Sequence, residues 1–266
     1  PSGTLKLVRN LDIGNIYVGY SRGYKAGGFN LDRDAATTGF EFDPETVDSY
    51  EIGYKGTYAD VLRVNAAAYF YDYQDMQVLV DSLNDVNLPV PEIVNADKAE
   101  VKGFEVEATW LATDALTLMA NYSYIDGEYT NFCCSVDTIG DPDGGEQDLS
   151  GNPLTQAPRN KIFTNASYSW NTASMGEVVL SGSYSWVDSR QYDVFNTNAT
   201  QADSYFRVDA SLSWFSPSQD IRVIMAGKNL TEEETWVSLT RLNQFGAISG
   251  YANEPMTYSL EVQYTF

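Results

Sequence analysis

The chain has no histidine, only two cysteines, and 16 lysines and arginines against 37 aspartates and glutamates in 266 residues. Each shortage excludes a class of function. Without histidine the commonest general base and transition-metal ligand is missing, and a Ser-His-Asp triad is impossible within these residues. No G-x-S-x-G elbow is present either. A formal charge of −21 argues against nucleic acid, because neutralising phosphates requires lysine and arginine. Cys133 and Cys134 are adjacent and fit neither a zinc spacing nor a redox CxxC. In an oxidising compartment they either pair with each other or stay free. No run of about 18 apolar residues is found, so no transmembrane helix is expected. Mean hydropathy is −0.31. That value does not argue for a soluble protein, because transmembrane strands hide their lipid face in a period of two. No catalytic residue, metal-ligand set or cofactor is assigned, and enzymatic activity is not expected.

What the chain does have is long alternation. Met256, Tyr258, Leu260, Val262, Tyr264 and Phe266 are apolar or aromatic, and the five residues between them are polar. Successive strand side chains point to opposite faces, so this segment has one greasy face and one wet face. Period and turn punctuation predict eleven strands, at 2–11, 14–23, 47–58, 61–75, 94–111, 115–128, 159–170, 177–190, 203–215, 220–229 and 256–266. A β-sandwich also alternates, but typical strands of globular proteins have about 5–6 residues. Tilted strands crossing a bilayer need about 9–11. The connections alternate short and long, the long ones spanning 24–46, 76–93, 129–158, 191–202 and 230–255. Short turns at one end and long loops at the other are the pattern of outer-membrane barrels. The aromatics Trp110, Trp170, Trp186, Trp214 and Phe266 fall near strand ends and are candidates for an interfacial girdle.

The expected fold is therefore all-β, a transmembrane antiparallel barrel. Bacterial single-chain barrels have an even strand count. Eleven strands ending on the short-turn side would start on the long-loop side, so the chain reads as the C-terminal portion of a larger barrel. It opens on Pro1 rather than Met and shows no signal peptide, which agrees. Eleven is half of the roughly 22 strands of plugged outer-membrane transporters.

At this point several segments resemble the TonB-dependent outer-membrane receptors. Residues 17–30, YVGYSRGYKAGGFN, resemble their Y-x-S-x-G-Y-K-x-G-G-F-N stretch, and 42–55, FDPETVDSYEIGYK, their P-E-x-x-x-x-Y-E-x-G-x-K strand. Residues 95–107, NADKAEVKGFEVE, resemble their N-A…G-x-E-x-E segment. The stretches APRNK at 157–161 and KNLT at 228–231 are similar to two later landmarks, and YTF at 264–266 to the terminal aromatic read by barrel assembly. Six weak motifs in order make a strong one. The resemblance implies a 22-stranded barrel occluded by an N-terminal plug, with TonB, ExbB and ExbD driving uptake of a scarce ligand. A ferric siderophore or similar metal chelate is the first expectation. A vitamin or glycan receptor, or a passive porin-like channel without a plug, is the alternative. The plug, the TonB box and the first half of the barrel are expected to lie outside this sequence. Outer-membrane lipid and the barrel assembly machinery are further expected partners, in a Gram-negative outer membrane.

Candidate site residues follow from this picture. Glu51, Lys55, Glu105, Glu107, Arg207, Asp209 and Glu261 alternate with the apolar positions and are expected to face a hydrated lumen rather than to form an acid–base pair. Tyr24, Lys25, Phe29, Trp236 and Arg241 fall in or beside long loops and offer stacking or anion-pairing groups to a ligand. The acidic stretch 141–148 is rich in oxygen ligands for Ca²⁺, but its spacing is not that of an EF-hand, and solvated loops have the same composition. The acidic balance favours a neutral or cationic ligand over a polyanion.

Overall fold

The computed structural model describes all residues except 1, 32–39, 84–88, 138–144 and 243–246. Eleven strands form one antiparallel sheet in strict chain order. They are β1 (Gly3–Leu11), β2 (Gly14–Lys25), β3 (Glu45–Tyr58), β4 (Leu62–Leu83), β5 (Pro89–Leu111), β6 (Leu116–Asn131), β7 (Asn160–Thr172), β8 (Gly176–Val187), β9 (Tyr205–Phe215), β10 (Ile221–Lys228) and β11 (Thr257–Tyr264). The tight turns lie at one end. Between β3 and β4, Ala59 and Asp60 both take positive φ, 47° and 56°, the conformation of a primed hairpin turn whose twist matches its strands. Asp60 tolerates that region; Ala59 is strained there.

The register keeps one side-chain parity on one face across the whole sheet. On that face Leu5 opposes Tyr20, Tyr20 opposes Tyr50, and Tyr50 opposes Phe70. Phe104 opposes Tyr124, Ile162 opposes Trp186, and Trp186 opposes Phe206. Leu212 opposes Met225, which opposes Leu260. These side chains are not packed under a second layer: Leu260 is 68% exposed and Leu7 63%. In water such a continuous apolar surface would be a severe liability. Trp110, Trp170, Trp214 and Phe266 lie toward the turn end of this face and Trp186 toward the loop end. On β9, Phe206 and Trp214 are eight residues apart, roughly 27 Å along the strand. A tilt of about 40° brings this to roughly 20 Å, close to the apolar band of a membrane barrel. Above the loop-end aromatics the same face becomes charged. Arg22 pairs with Asp48 at 3.2 Å, Lys98 with Asp72 at 3.7 Å and Glu100 at 3.2 Å, Lys102 with Glu100 at 3.1 Å, and Arg159 with Asp126 at 3.0 Å.

The opposite face is polar and carries phenols laid over glycines. Tyr17 lies directly across from Gly53, and Tyr69 from Gly103. A Cβ on Gly53 would meet the Tyr17 ring at 2.5 Å, and one on Gly103 the Tyr69 hydroxyl at 2.5 Å. Only glycine lets the rings lie flat there, an arrangement that covers backbone and fixes register.

Two differences from the sequence reading stand out. The stretch 76–93, expected as a loop, is mostly ladder, because β4 and β5 continue as a paired hairpin to Leu83 and Pro89. Asp75, with φ of 53°, twists the ribbon at its base. Below it Ala99 is buried and above it Val78, Val80 and Ala96, so the buried parity changes there. The last strand is shorter than expected, ending at Tyr264, with Phe266 beyond the ladder and edge-to-face with Tyr264. The buried apolar cluster lies at the long-loop end of the sheet, where the ends of β4, β5 and β6 meet the loops. It joins Val78, Val80 and Ala96 to Tyr129, Phe132, Leu149, Leu154 and Val194. Among the described residues β1 pairs only with β2, and β11 only with β10, which leaves two lateral edges.

Candidate functional site

The long loops are tied to one another by asparagines. Asn30 pairs through its amide with the backbone of Ile93 in both directions, at 2.9 Å each, as a strand residue would. The Asn95 side chain accepts from the Asp43 amide at 2.8 Å and donates to the Asp43 carbonyl at 3.1 Å. Gln77 donates to the carbonyls of Ala26 and Asp43. Residues 26–30, 43–45 and 93–95, with Gln77 between them, thus form one hydrogen-bonded collar. At the far edge Asn229, with φ of 52°, ends β10. Its side chain donates to the carbonyls of Glu233 at 2.9 Å and Glu254 at 3.1 Å, closing the base of the last loop.

That loop carries a hairpin, Trp236–Leu242 paired with Ala247–Ala252. It is fastened to its neighbours. Arg190 and the Tyr192 hydroxyl both donate to the Trp236 carbonyl, at 2.5 and 2.7 Å. The Arg241 guanidinium donates to Asp137 at 2.7 Å, stands 3.7 Å from Asp193, and lies 5.4 Å from the Phe195 ring centroid. The side chains of Arg241 and Asp137 are only 10% and 4% exposed. Asp193 also accepts from Thr197 and Thr200. Below this junction Tyr129 is buried, and its phenol is pushed up to about 12 by that burial, so it stays protonated.

The predicted ligand residues therefore divide. Phe29 is exposed in a two-residue strand, with its ring against Phe40. Lys25 ends β2 in the open, and the Trp236 ring is exposed. Tyr24 is exposed but has the parity of Tyr20, that of the apolar face. Arg241 differs from the sequence expectation: it is not an open group but a buried one, hydrogen-bonded to Asp137 and 3.7 Å from Asp193, both on other loops. Nothing in the local sequence marks this, since its partner Asp137 lies 104 residues away.

The seven polar candidates share the face opposite the aromatics. Glu107 accepts from Asn65 at 3.2 Å, Arg207 pairs with Asp209 at 3.3 Å, and Lys55 stands 5.9 Å from the Tyr17 ring centroid. Glu51 opposes Tyr69, Glu105 opposes Ala67 and Glu261 opposes Ile224. The sequence reading missed Lys6, 3.8 Å over the Tyr17 ring, and the stacked pair Tyr69 and Tyr71. The acidic stretch falls partly outside the described residues, at 141–144. Of its remainder, Glu146–Gln147 pair with Ser135–Val136, and Asp148 accepts from Ser150, whose hydroxyl and amide hold its carboxyl below the usual range. Cys133 and Cys134 are joined to each other.

Comparison with known proteins agrees with this architecture. The family model described as TonB dependent receptor-like, beta-barrel matches residues 4–230. A probable TonB-dependent siderophore receptor PiuA of Acinetobacter baumannii is 24% identical over 227 residues, which are 83% of this chain and 28% of that protein. The pesticin receptor of Yersinia pestis is 29% identical over 116 residues, 44% of this chain and 16% of that one. Among solved structures, the ferric yersiniabactin uptake receptor FyuA of Yersinia pestis superposes with a TM-score of 0.78 at 21% identity, covering all of this chain and 37% of that one. The chain thus spans well under half the length of the proteins it matches.

Proposed function

Since the chain belongs to the TonB-dependent receptor β-barrel family and lies in the Gram-negative outer membrane, we propose that it supplies eleven wall strands, and their outer loops, of a receptor for TonB-driven uptake. The ligand is a ferric siderophore or a closely similar metal chelate. The observation that carries this reading is the single-parity apolar face running unbroken through eleven strands. A bilayer accepts such a face, and the unpaired edges of β1 and β11 cannot stand open in hydrocarbon. Further strands close the barrel against them, and a plug covers the polar face bearing Glu51, Lys55, Glu105, Glu107, Arg207, Asp209 and Glu261. TonB, with ExbB and ExbD, engages that plug, and the barrel assembly machinery inserts the wall. Trp110, Trp170, Trp214 and Phe266 sit at the periplasmic interface and Trp186 at the outer one. Lys25, Phe29 and Trp236 meet the ligand, with Arg241 holding the loops that present them.

Support for a chelate comes from PiuA, named a siderophore receptor, which matches over 83% of this chain. The test is uptake of iron-55 chelates by cells whose only siderophore receptor is the complete protein, with and without TonB. Accumulation that requires both is expected. Accumulation without TonB would favour a passive channel, and none with any chelate would remove the ligand assignment.

A further inference from the structure

We propose that the hairpin of the last loop takes a third strand along Ala247–Ala252, supplied by a segment of the complete receptor outside this sequence: the outer end of the wall strand that pairs with β11. The inference rests on the reading above that further strands close the barrel against β11. It concerns an open edge beyond the wall, in the loop that carries Trp236. Among the described residues the hairpin is a sheet of two strands, so each strand has one free side. On the first strand that side is occupied. Arg190 and Tyr192 take the Trp236 carbonyl, and Leu239 and Arg241 are buried. The second strand stands open: only Gly250 is half-buried, and Ile248 and Tyr251 are 46% and 76% exposed. Its sequence, AISGYA, has no charge and no proline, the residues that commonly guard an open edge. The other small ribbons of the loop end pair only two residues a side, too few to template a strand.

The direction of the open groups follows from one hydrogen bond. The Asn253 amide donates to the Thr235 carbonyl at 2.9 Å, so it points into the hairpin. Amides alternate in direction along a strand, which turns Tyr251 and Ser249 inward and Ala252, Gly250 and Ile248 toward the open side. The pairing irregularity, at Val237, lies in the other strand and leaves this alternation intact. Continuity names the occupant. Ala252 is joined to Thr257, the first residue of β11, through 253–256. Asn229 and Asn253 stitch that base to the carbonyl of Glu233. The hairpin is therefore an outward continuation of the pair β10–β11, with Ala247–Ala252 above β11. Its open side runs on into that of β11, which cannot stay unpaired in hydrocarbon. Since β11 runs toward the turn end, an antiparallel partner runs outward. It leaves the bilayer beside Thr257 and passes from Ala252 to Ala247 in the sense required for pairing. β4 and β5 behave this way in the same molecule, continuing as a ladder to Leu83 and Pro89. The third strand satisfies the open amides and braces the hairpin against the other half of the rim.

The test uses the complete receptor in detergent micelles. Amide exchange at single-residue resolution should find Ile248, Gly250 and Ala252 slowed at least about a hundredfold relative to an unpaired amide, as Ser249 and Tyr251 are. Slowing of Ser249 and Tyr251 alone would overturn the proposal. This measurement needs no variant, so it stands if a substituted protein fails to fold. In a second arm, Tyr251→Cys is combined with cysteines scanned along the outer end of the first wall strand, and Gln263→Cys with cysteines scanned along its inner end. Oxidation should link both sets within one molecule, in a single antiparallel register. A link at Gln263→Cys with none at Tyr251→Cys overturns the third strand and leaves barrel closure standing. No link at Gln263→Cys refutes the closure on which the proposal rests. A Tyr251→Cys link to the plug, or between two molecules, assigns the edge to another occupant and also overturns it.

Discussion

Replacing Arg241 by methionine tests whether the last hairpin is held by charge. The substitution keeps length and apolar stem but takes the guanidinium away from Asp137, whose side chain is 4% exposed, and from Asp193. Removing one member of a buried ion pair costs about 3–5 kcal/mol, mostly as the penalty of an uncompensated charge. The cost falls on the loop junction rather than on the wall. Opening of the segment Trp236–Leu242 should therefore become easier by a hundredfold or more, on the order given by 1.4 kcal/mol per factor of ten. Amide hydrogen exchange of the complete receptor reads this directly: the hairpin amides should exchange faster by that factor, up to the unprotected limit, while β7 to β9 keep their rates. Asp137→Leu should do similar harm alone. Combined with Arg241→Met it should restore part of the protection, because an apolar pair of similar volume replaces an ionic one. Hairpin exchange within twofold of the parent in Arg241→Met, or a double variant carrying the full sum of both losses, would refute the reasoning.

Three further outcomes are expected. Leu212→Arg, on the apolar face between Leu180 and Met225, should destabilise the inserted barrel by ~2–4 kcal/mol, and a neutral result in a lipid-folding titration would contradict lipid contact there. Asn229→Ala removes four side-chain hydrogen bonds and puts alanine at positive φ; it should cost roughly 2–4 kcal/mol locally and expose 230–255 to protease, whereas an unchanged digest would deny the staple. In the turn before β10, the hydroxyls of Ser218 and Ser216 hold the Asp220 carboxyl below its usual value. A depressed folded value stabilises above the ordinary carboxylate pKa of about 3.9 and is lost as pH falls through the folded one. Asp220→Asn should thus flatten the acid limb of the unfolding curve below about pH 4, and an identical limb would reject the assignment.

Much of the wall was legible because its chemistry repeats every two residues and one parity serves all eleven strands. The tight turns also announced themselves, since they interrupt the alternation briefly. The hairpin to Leu83 and Pro89 was not legible: Pro89, Pro91 and Asn84 read as loop punctuation, and its buried face answers to a cluster assembled from three loops. The motifs that carried the family resemblance gain a physical meaning only in three dimensions. Asn30, Asp43 and Asn95 look unrelated along the chain, yet they meet in one collar. Arg241 was misplaced for the complementary reason: an arginine in a polar loop looks free until its partners are located. The cover of Gly53 and Gly103 by tyrosines on the polar face was hidden because register decides it.

The apolar cluster sits at the loop end, between the extended ends of β4, β5 and β6 and the loops beside them, while the rest of the wall packs under no second layer. Two selective pressures thereby act on separate parts. Hydrocarbon thickness disciplines the ribbon, and a small globule above it is disciplined by its own packing. Side chains of that globule can change without disturbing how the ribbon sits in the bilayer.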